Sequence, residues 1–304
     1  MFNRPLPRIM AKATPPLFAR DLLRAPDGLS AFAPDDVLAK WQAGIRAAES
    51  GTNVIPMLEV IGEDYWTGGG VTARRVSQQL AALGGAAPEV HINSPGGDMF
   101  EGLAIYNLLR EYATQHSVLV KVKILGQAAS AASVIAMAGD VVEIGAASFL
   151  MIHNCWVVAV GNRHDMARVA EQLAPFDAAM ADVYAQRSGQ SATDCAAWMD
   201  AETYMNGRVA IERGFADALL ASDAVTEDAE ATARAAELNA VRAMEMTLVA
   251  GGMTRAAARA RILQLKGIDI EAFRGTPGAA TESGTPGAAD LSGWDAAADA
   301  AARS

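Results

Sequence analysis

The stretch "GQAASAASVIAMAGD", from Gly126 to Asp140, holds Ser130 and Ser133 among very small residues. A serine hydroxyl becomes a useful nucleophile only when a base takes its proton and donors stabilise the developing oxyanion. Ser130 follows an apolar run and precedes a predicted helix, where free N–H groups and the helix dipole favour negative charge. Small residues at a helix start also serve helix–sheet packing, which is the only role we expect for Ser133. This segment alone leaves both interpretations of Ser130 open.

The loop "NSPGGD", Asn93–Asp98, comes directly after another apolar run. Pro95 followed by Gly96 and Gly97 predicts a tight turn whose backbone can approach a ligand closely. An ordinary strand-to-helix turn would also explain one glycine. It explains the whole Ser-Pro-Gly-Gly run less well.

The four histidines are His91, His116, His153 and His164, and they form no HExxH-type pair. The two cysteines, Cys155 and Cys195, give neither a disulfide framework nor a metal-knuckle spacing. His153 and Cys155 could face the same side of a strand, but further ligands are missing. The sequence therefore predicts no metal site, and the cysteine usage favours a reducing cytoplasm.

The formal charge of −10 and the pI of about 4.9 argue against nucleic acid as a partner, since phosphate backbones need clustered Lys and Arg. No uninterrupted apolar stretch approaches the length of a transmembrane helix, so we expect no membrane partner.

Strand-like and helix-like patterns alternate from about residue 53 onward. The predicted order is strand 53–62, helix 71–83, strand 88–93, helix 99–112, strand 117–126, helix 129–139 and two short strands at 140–145 and 148–154. Such alternation favours right-handed crossovers and a largely parallel sheet. The pattern thus predicts an α/β fold. A short helix at 35–49 precedes it.

A long helix is predicted around 165–187, with Pro175 expected to kink or split it. Its apolar face comprises Met166, Val169, Leu173, Phe176, Met180 and Val183. That face could belong to the core or to a subunit interface. A further short helix follows in "NGRVAIERGFAD", with Asn206 as the N-cap and Gly214 just past the C-terminus.

Composition divides the chain into four parts. We predict an N-terminal extension with a short helix at 1–50, a main domain at 51–221 and an Ala-rich helical extension at 222–270. That extension contains one or two helices interrupted by "GGM" at 251–253. The end, 271–304, is a low-complexity tail in which "GTPGAA" occurs twice, and we expect it to be disordered.

Several segments together resemble the ClpP-type serine proteases, over about residues 53–221. They are "INSPGGDMFEGLAIYNLL", "GQAASAASVIAMAG", "MIHN" and "SGQSATDCAAWMDAETYMNGRVAIERGFAD". In detail they are most similar to the phage and prophage branch, which is associated with prohead maturation. The resemblance implies a crotonase-like fold of stacked ββα units, assembled into rings through the long protruding helix after the histidine strand.

The resemblance also implies roles for single positions. Ser130 matches the nucleophile and His153 the general base, while the N–H groups of Gly97 and Ala131 match the oxyanion hole. Substrates of the family bind extended, adding a strand beside the glycine loop. The expected groove walls contain Gly96, Asp98, Met99 and Asn154.

The third member of the triad is less well marked. The family usually carries Asp at the position that Glu202 holds here, and Asp200 lies two residues earlier. A glutamate can orient an imidazole, with its backbone slightly farther away. We expect Glu202 to act, with Asp200 as the alternative; both could instead belong to an acidic, solvated loop.

The resemblance implies a serine endopeptidase that works through an acyl-enzyme and needs no cofactor. Its expected substrates are capsid or scaffold proteins, processed by a homo-oligomeric ring in the host cytoplasm or the assembling prohead. A first alternative is a housekeeping-type chamber fed by an AAA+ unfoldase. A second, of another class, is a non-catalytic ring or scaffold protein in head assembly.

Overall fold

A computed structural model of the chain describes residues 30–48, 51–221 and 224–267. The expected disordered tail at 271–304 lies outside these residues, as does most of the predicted N-terminal extension. The strands are β1 Ser30–Ala31, β2 Ile45–Ala47, β3 Val54–Met57, β4 Glu89–Ser94, β5 Lys121–Ala129, β6 Val141–Ile144, β7 Phe149–Ile152, β8 Val157–Val158, β9 Thr203–Asn206, β10 Ala218–Leu219 and β11 Val225–Glu227. The helices are α1 Asp35–Lys40, α2 Ala73–Ala82, α3 Met99–His116, α4 Ala131–Ala136, α5 Arg163–Ser188, α6 Ala192–Asp200, α7 Gly207–Glu212, α8 Ala229–Ala250 and α9 Arg255–Leu265.

The main sheet is parallel along the order β10-β6-β5-β4-β3. Its strands are rich in β-branched and other apolar residues, and many of these side chains are fully buried, such as Ile55, Ile92, Ile124 and Ile144. Helices α2 and α3 lie between these strands in the chain and pack against each other, so each β–α–β crossover joins parallel neighbours. The predicted mixed α/β fold with a parallel sheet is confirmed.

Strand β5 ends three residues later than predicted, and along one edge it pairs with two different strands. Its first half pairs with β6, whereas its last residues, Gln127–Ala129, pair with β7 in parallel. Strand β7 in turn pairs with β9 in antiparallel register. The carboxyl ends of β5 and β7 therefore lie side by side. Because Ser130 follows β5 and His153 follows β7, the topology brings these two residues together.

Helix α5 runs unbroken through Pro175, so the expected split does not occur. Proline removes one backbone donor, and the carbonyl it leaves unpaired lies in an exposed part of the helix where water can bind it. From Phe176 onward the apolar face packs into the core, with Tyr184 fully buried. The preceding half stays exposed, including Met166 at 39%. The core interpretation is thus confirmed for the second half of the helix.

The segment 35–49 is not one helix. Helix α1 ends at Lys40, because Trp41 adopts an extended conformation, and β2 then pairs antiparallel with β11. Gly44 makes this pairing possible: a Cβ there would lie 2.0 Å from the carbonyl oxygen of Asp228. The sequence pattern missed the strand because its partner lies far away, beyond the main domain.

The two later predictions of helices are confirmed. Asn206 caps α7 by accepting the N–H of Val209 at 3.0 Å, and Gly214 past its end has φ +83°. The Ala-rich region forms α8 and α9, which are separated around "GGM" at 251–253. Both helices pack on the main domain. None of the described helices is both long and apolar enough to cross a membrane.

Candidate active site

Ser130 sits at a sharp turn between β5 and α4. Its backbone has φ 54° and ψ −127°, a conformation that costs a non-glycine residue free energy. The Ser130 N–H donates to the carbonyl of Met151 at 3.0 Å, which anchors the turn to β7. The strain is held in place by a surrounding of fully buried alanines, Ala129, Ala131 and Ala132. The side chain of Ser130 is thereby presented at the end of the sheet and remains partly accessible.

The hydroxyl of Ser130 is hydrogen-bonded to the imidazole of His153. The distance from Oγ to Nε2 is 2.6 Å, and His153 is only 4% exposed. A serine hydroxyl donates its proton only to an unprotonated ring nitrogen, so a neutral imidazole with a free Nε2 fits this contact. The pair has the geometry required of a nucleophile and its base.

Burial lowers the pKa of His153 from its ordinary value of 6.5 to about 4, although the negative charge of Asp36 acts in the opposite direction. Desolvation penalises the imidazolium form because a charged ring loses more hydration than a neutral one. His153 is therefore neutral at pH 7 and can accept a proton. Because burial also disfavours the imidazolium that forms during catalysis, the site itself must stabilise that charge.

The glycine loop approaches Ser130 from the other side. A Cβ on Gly96 would lie 2.7 Å from the Cβ of Ser130 and 2.5 Å from the carbonyl oxygen of Ala129. Only glycine allows this approach, and the φ of +83° at Gly96 also favours it. The Pro-Gly-Gly run is thus explained by close contact with the turn that carries Ser130.

Gly97 forms a parallel bridge with Ile61. The N–H of Ile61 donates to the Gly96 carbonyl at 2.8 Å, and the Asp98 N–H donates to the Ile61 carbonyl at 2.9 Å. In an extended segment successive N–H groups alternate sides, so the N–H of Gly97 points away from Ile61. Ala131 is the first residue of α4, whose N–H has no acceptor within the helix. The Ala131 N–H thus follows Ser130 directly, and the Gly97 N–H follows Gly96, the residue in close contact with Ser130.

Ser133 has a role that the sequence did not indicate. Its hydroxyl donates to the Ser130 carbonyl at 2.6 Å and shares a hydrogen bond of 2.7 Å with the hydroxyl of Tyr184. Tyr184 lies on α5 and is fully buried. The expectation that Ser133 serves packing alone is wrong, because this chain of hydrogen bonds ties the Ser130 turn to α5.

The expected groove residues differ in what their side chains do. The carboxylate of Asp98 caps α3 by accepting the N–H groups of Phe100 and Glu101, at 2.8 and 3.3 Å. Met99 is 4% exposed and packs in the core, which leaves only its backbone for a ligand. Asn154 is half-buried, and its amide donates to Asp200 Oδ1 at 2.7 Å.

The structure does not join His153 to either predicted acid. Among the described residues no hydrogen bond links its ring to Glu202 or Asp200. Asp200 instead accepts the Asn154 amide. Glu202 is exposed, with φ 45°, on the turn that precedes β9. The register pairs Ile152 with Thr203, so the next position along brings the Glu202 backbone opposite His153 while its side chain stays in solvent.

Acidic residues that the sequence analysis missed also lie near the site. Asp177 on α5 accepts the N–H of Cys155 at 2.6 Å, and burial raises the pKa of Asp177. Burial, together with the charges of Asp177 and Asp98, raises the pKa of the Cys155 thiol to about 12. The Cys155 thiol, two residues after His153, therefore stays protonated and does not compete as a nucleophile. No motif in the sequence marked Asp177, since only the fold brings α5 to this segment.

Residues outside the predicted motifs also support the site from the other face of the sheet. Val37 on α1 packs against Ala129 and Met151, the residues that flank the Ser130 turn. The indole of Trp41 donates to the carbonyl of Asn93 at 3.1 Å. Within the described ranges, no three His, Cys, Asp or Glu side chains cluster closely enough to hold a metal ion.

Comparison with known proteins identifies the family. The Clp protease family model matches residues 70–223, about half of the chain. The ATP-dependent Clp protease proteolytic subunit of Pleurastrum terricola is 32% identical over 134 residues, which cover 43% of this chain and 66% of that protein. Proteins of the same name from two strains of Bacteroides fragilis are 30% identical over 155 residues, which cover 49% of this chain and 73% or 69% of theirs. The chain therefore belongs to the Clp protease family of serine-type peptidases.

Proposed function

We propose that this protein hydrolyses peptide bonds by nucleophilic catalysis at Ser130. The observation that carries the proposal is the 2.6 Å hydrogen bond between Ser130 Oγ and His153 Nε2. Membership of the Clp protease family supports it. Ser130, His153, Gly97 and Ala131 take the roles that the family resemblance assigns to them.

The proposed reaction has two halves. As Ser130 Oγ attacks the substrate carbonyl carbon, His153 Nε2 takes the hydroxyl proton, and the carbonyl oxygen becomes an oxyanion. The N–H groups of Gly97 and Ala131 stabilise that charge. The C–N bond then breaks, His153 returns the proton to the leaving amine, and an ester with Ser130 remains. Water attacks this ester by the same route and releases the new carboxylate.

Within this proposal Glu202 is the residue that orients the imidazole. Its backbone lies one register step beyond the Ile152–Thr203 pair and thus beside His153. We propose that rotation of the exposed Glu202 side chain brings its carboxylate toward His153 Nδ1. Asp200 is the weaker candidate, because Asn154 already binds it.

We infer that the substrates are unfolded protein segments, delivered to a homo-oligomeric ring by an ATP-driven unfoldase. This is the alternative that the names of the relatives support, since all three are called ATP-dependent Clp protease proteolytic subunits. The exposed first half of α5, with Met166 at 39% exposed, and Val160 just before it, at 65%, offer apolar surface for contact between subunits.

Prohead maturation remains a second candidate. One observation favours it: the helices α8 and α9 and the segment before β3 lie outside the family match, yet they pack on the main domain. Added segments of this kind suit a protease with a narrow set of substrates. The names of the relatives do not support this role.

The proposal is tested with two substrates and one variant. The purified protein should degrade an unfolded chain such as casein, and Ser130→Ala should lower this activity by at least about 10⁴-fold while the fold is retained. A folded protein carrying a degradation tag should be degraded only when an AAA+ unfoldase and ATP are added. Cleavage of a capsid or scaffold protein without ATP would favour prohead maturation instead. Undiminished activity of Ser130→Ala would overturn the assignment of the nucleophile.

A further inference from the structure

Strand β1 lies against the segment that follows the catalytic histidine strand. Ser30 pairs with Val158 and Ala31 with Val157, in antiparallel register. Strand addition is a common mode of peptide recognition, and it is the mode expected for substrates of this protein. The chain thus places its own backbone against one edge of a segment that the proposed groove would use.

The side chain that follows β1 is held in a pocket. Phe32 packs on a cluster built by Val158, Val249 and Ala258. The guanidinium of Arg255 lies 4.2 Å from the centre of the Phe32 ring, which is a favourable cation–π contact. Val249, Ala258 and Arg255 all belong to α8 or α9, which the family match does not include. The pocket is therefore a feature of this chain's C-terminal extension.

A cavity connects Phe32 with the glycine loop. It has a volume of about 350 Å³, and its walls include Phe32, Ala33, Gly97 and Asp98. The segment 30–33, which we call the strap, accordingly runs from β8 to the neighbourhood of Gly97. The strap thus lies near both expected walls of the groove, the glycine loop and the segment that contains Asn154 and continues into β8.

The helices that form the Phe32 pocket are fixed by a buried carboxylate. Glu245 is 2% exposed and accepts the indole N–H of Trp66 at 2.7 Å. It also accepts the Nε–H groups of Arg255 and Arg259, at 3.2 and 2.9 Å. Buried charges are tolerated when they are paired and hydrogen-bonded in this way. Arg255 thus contacts both the buried carboxylate of Glu245 and the ring of Phe32.

We propose that the strap occupies part of the substrate groove and that a substrate chain must displace it before Ser130 can react. The inference rests on the proposed function of Ser130. The strap is suited to displacement, because only two residues pair with β8 and Phe32 is partly exposed. The C-terminal extension, through Phe32, therefore sets how readily the groove opens.

Two active-site probes of different length separate this inference from the proposed function. A small fluorophosphonate needs only Ser130, whereas a tetrapeptidyl phosphonate must also enter the groove. We expect Phe32→Ala to react with the peptidyl probe about tenfold faster than the wild-type protein, and with the small probe at an unchanged rate. Arg255→Ala should accelerate the peptidyl probe about threefold.

Matched controls are Leu265→Ala and Arg261→Ala, which alter exposed side chains of α9 away from the pocket. Both should behave as wild type with both probes. If Ser130 reacts with the small probe but Phe32→Ala and Arg255→Ala leave the peptidyl rate unchanged or lower it, the strap does not guard the groove. If no variant reacts with either probe, the proposed function itself fails.

Discussion

The two sides of His153 differ sharply. On one side, its Nε2 meets the Ser130 hydroxyl at 2.6 Å in a setting of fully buried alanines. On the other side, Glu202 and Asp200 are exposed, and neither is hydrogen-bonded to the ring in the described structure. The nucleophile side depends on backbone geometry and close packing, whereas the acid side depends on an exposed carboxylate on a turn.

This difference shows which parts of the site are preassembled. The position of Ser130 is fixed by its own strained turn, by contact with Gly96 and by the hydrogen bonds of Ser133. Moving any of these parts requires the sheet ends to shift. The position of an acid depends only on side-chain rotation, which costs little free energy at the surface. We therefore expect substitutions on the nucleophile side to have the larger effects.

Among substitutions that leave Ser130 and His153 in place, the largest effect is expected from Gly97→Ala. A Cβ at Gly97 would lie 2.2 Å from the carbonyl oxygen of Ile61, and φ is +146°, so the loop must move and its N–H with it. Loss of one oxyanion donor lowers kcat by about 10²–10³-fold. The kcat is measured from the steady-state hydrolysis of a short peptide.

The control for Gly97→Ala is Gly84→Ala. Gly84 also has a positive φ, of +57°, but a Cβ there would meet nothing within 4 Å. This variant imposes backbone strain without touching the site and should keep wild-type kcat. A similar loss of kcat in both variants would mean that strain, and not the donor, matters.

A smaller effect is expected on the acid side. Glu202→Gln keeps the shape but removes the charge that would orient the imidazole, and we expect kcat to fall about 10²-fold, less than when a buried triad acid is neutralised. Asp200→Asn should change kcat by less than about threefold, because its partner is Asn154. The reverse ranking in the same peptide assay would assign the acid to Asp200.

A small effect on activity is also expected from Tyr184→Phe. It removes the hydrogen bond to Ser133, but Ser133 still donates to the Ser130 carbonyl. Unfolding in urea should show a loss of stability of about 1 kcal/mol, as for one buried hydrogen bond. The kcat should fall only a few-fold. A loss as large as that of Gly97→Ala would show that α5 positions Ser130 far more strongly than one hydrogen bond accounts for.

The site residues that could be predicted from the sequence are those where small side chains or an unusual backbone conformation are needed around the serine. The Pro-Gly-Gly run and the alanines around Ser130 predicted a close approach, and the structure contains one between Gly96 and Ser130. Local periodicity also predicted most helices and strands, because each buries a face at a regular spacing.

The contacts that the sequence could not show join distant parts of the chain. The partner of Asp200 is Asn154, the support of the Ser130 turn comes from Tyr184, and Phe32 rests on α8 and α9. No local pattern marks such pairs. Strand β2 was hidden in the same way, since this segment is a strand only because β11 pairs with it.

The central claim is that a neutral, buried His153 already holds Ser130 ready to react. The most direct test is the rate at which a small fluorophosphonate labels Ser130 as a function of pH, followed by intact mass and peptide mapping. Burial lowers the pKa of His153 to about 4, and protonation on going to lower pH removes the proton acceptor. The account therefore predicts labelling at pH 5.5 almost as fast as at pH 7.5. A rate at pH 5.5 of about one tenth, as an ordinary histidine of pKa 6.5 would give, or no labelling of Ser130 at all, would contradict it.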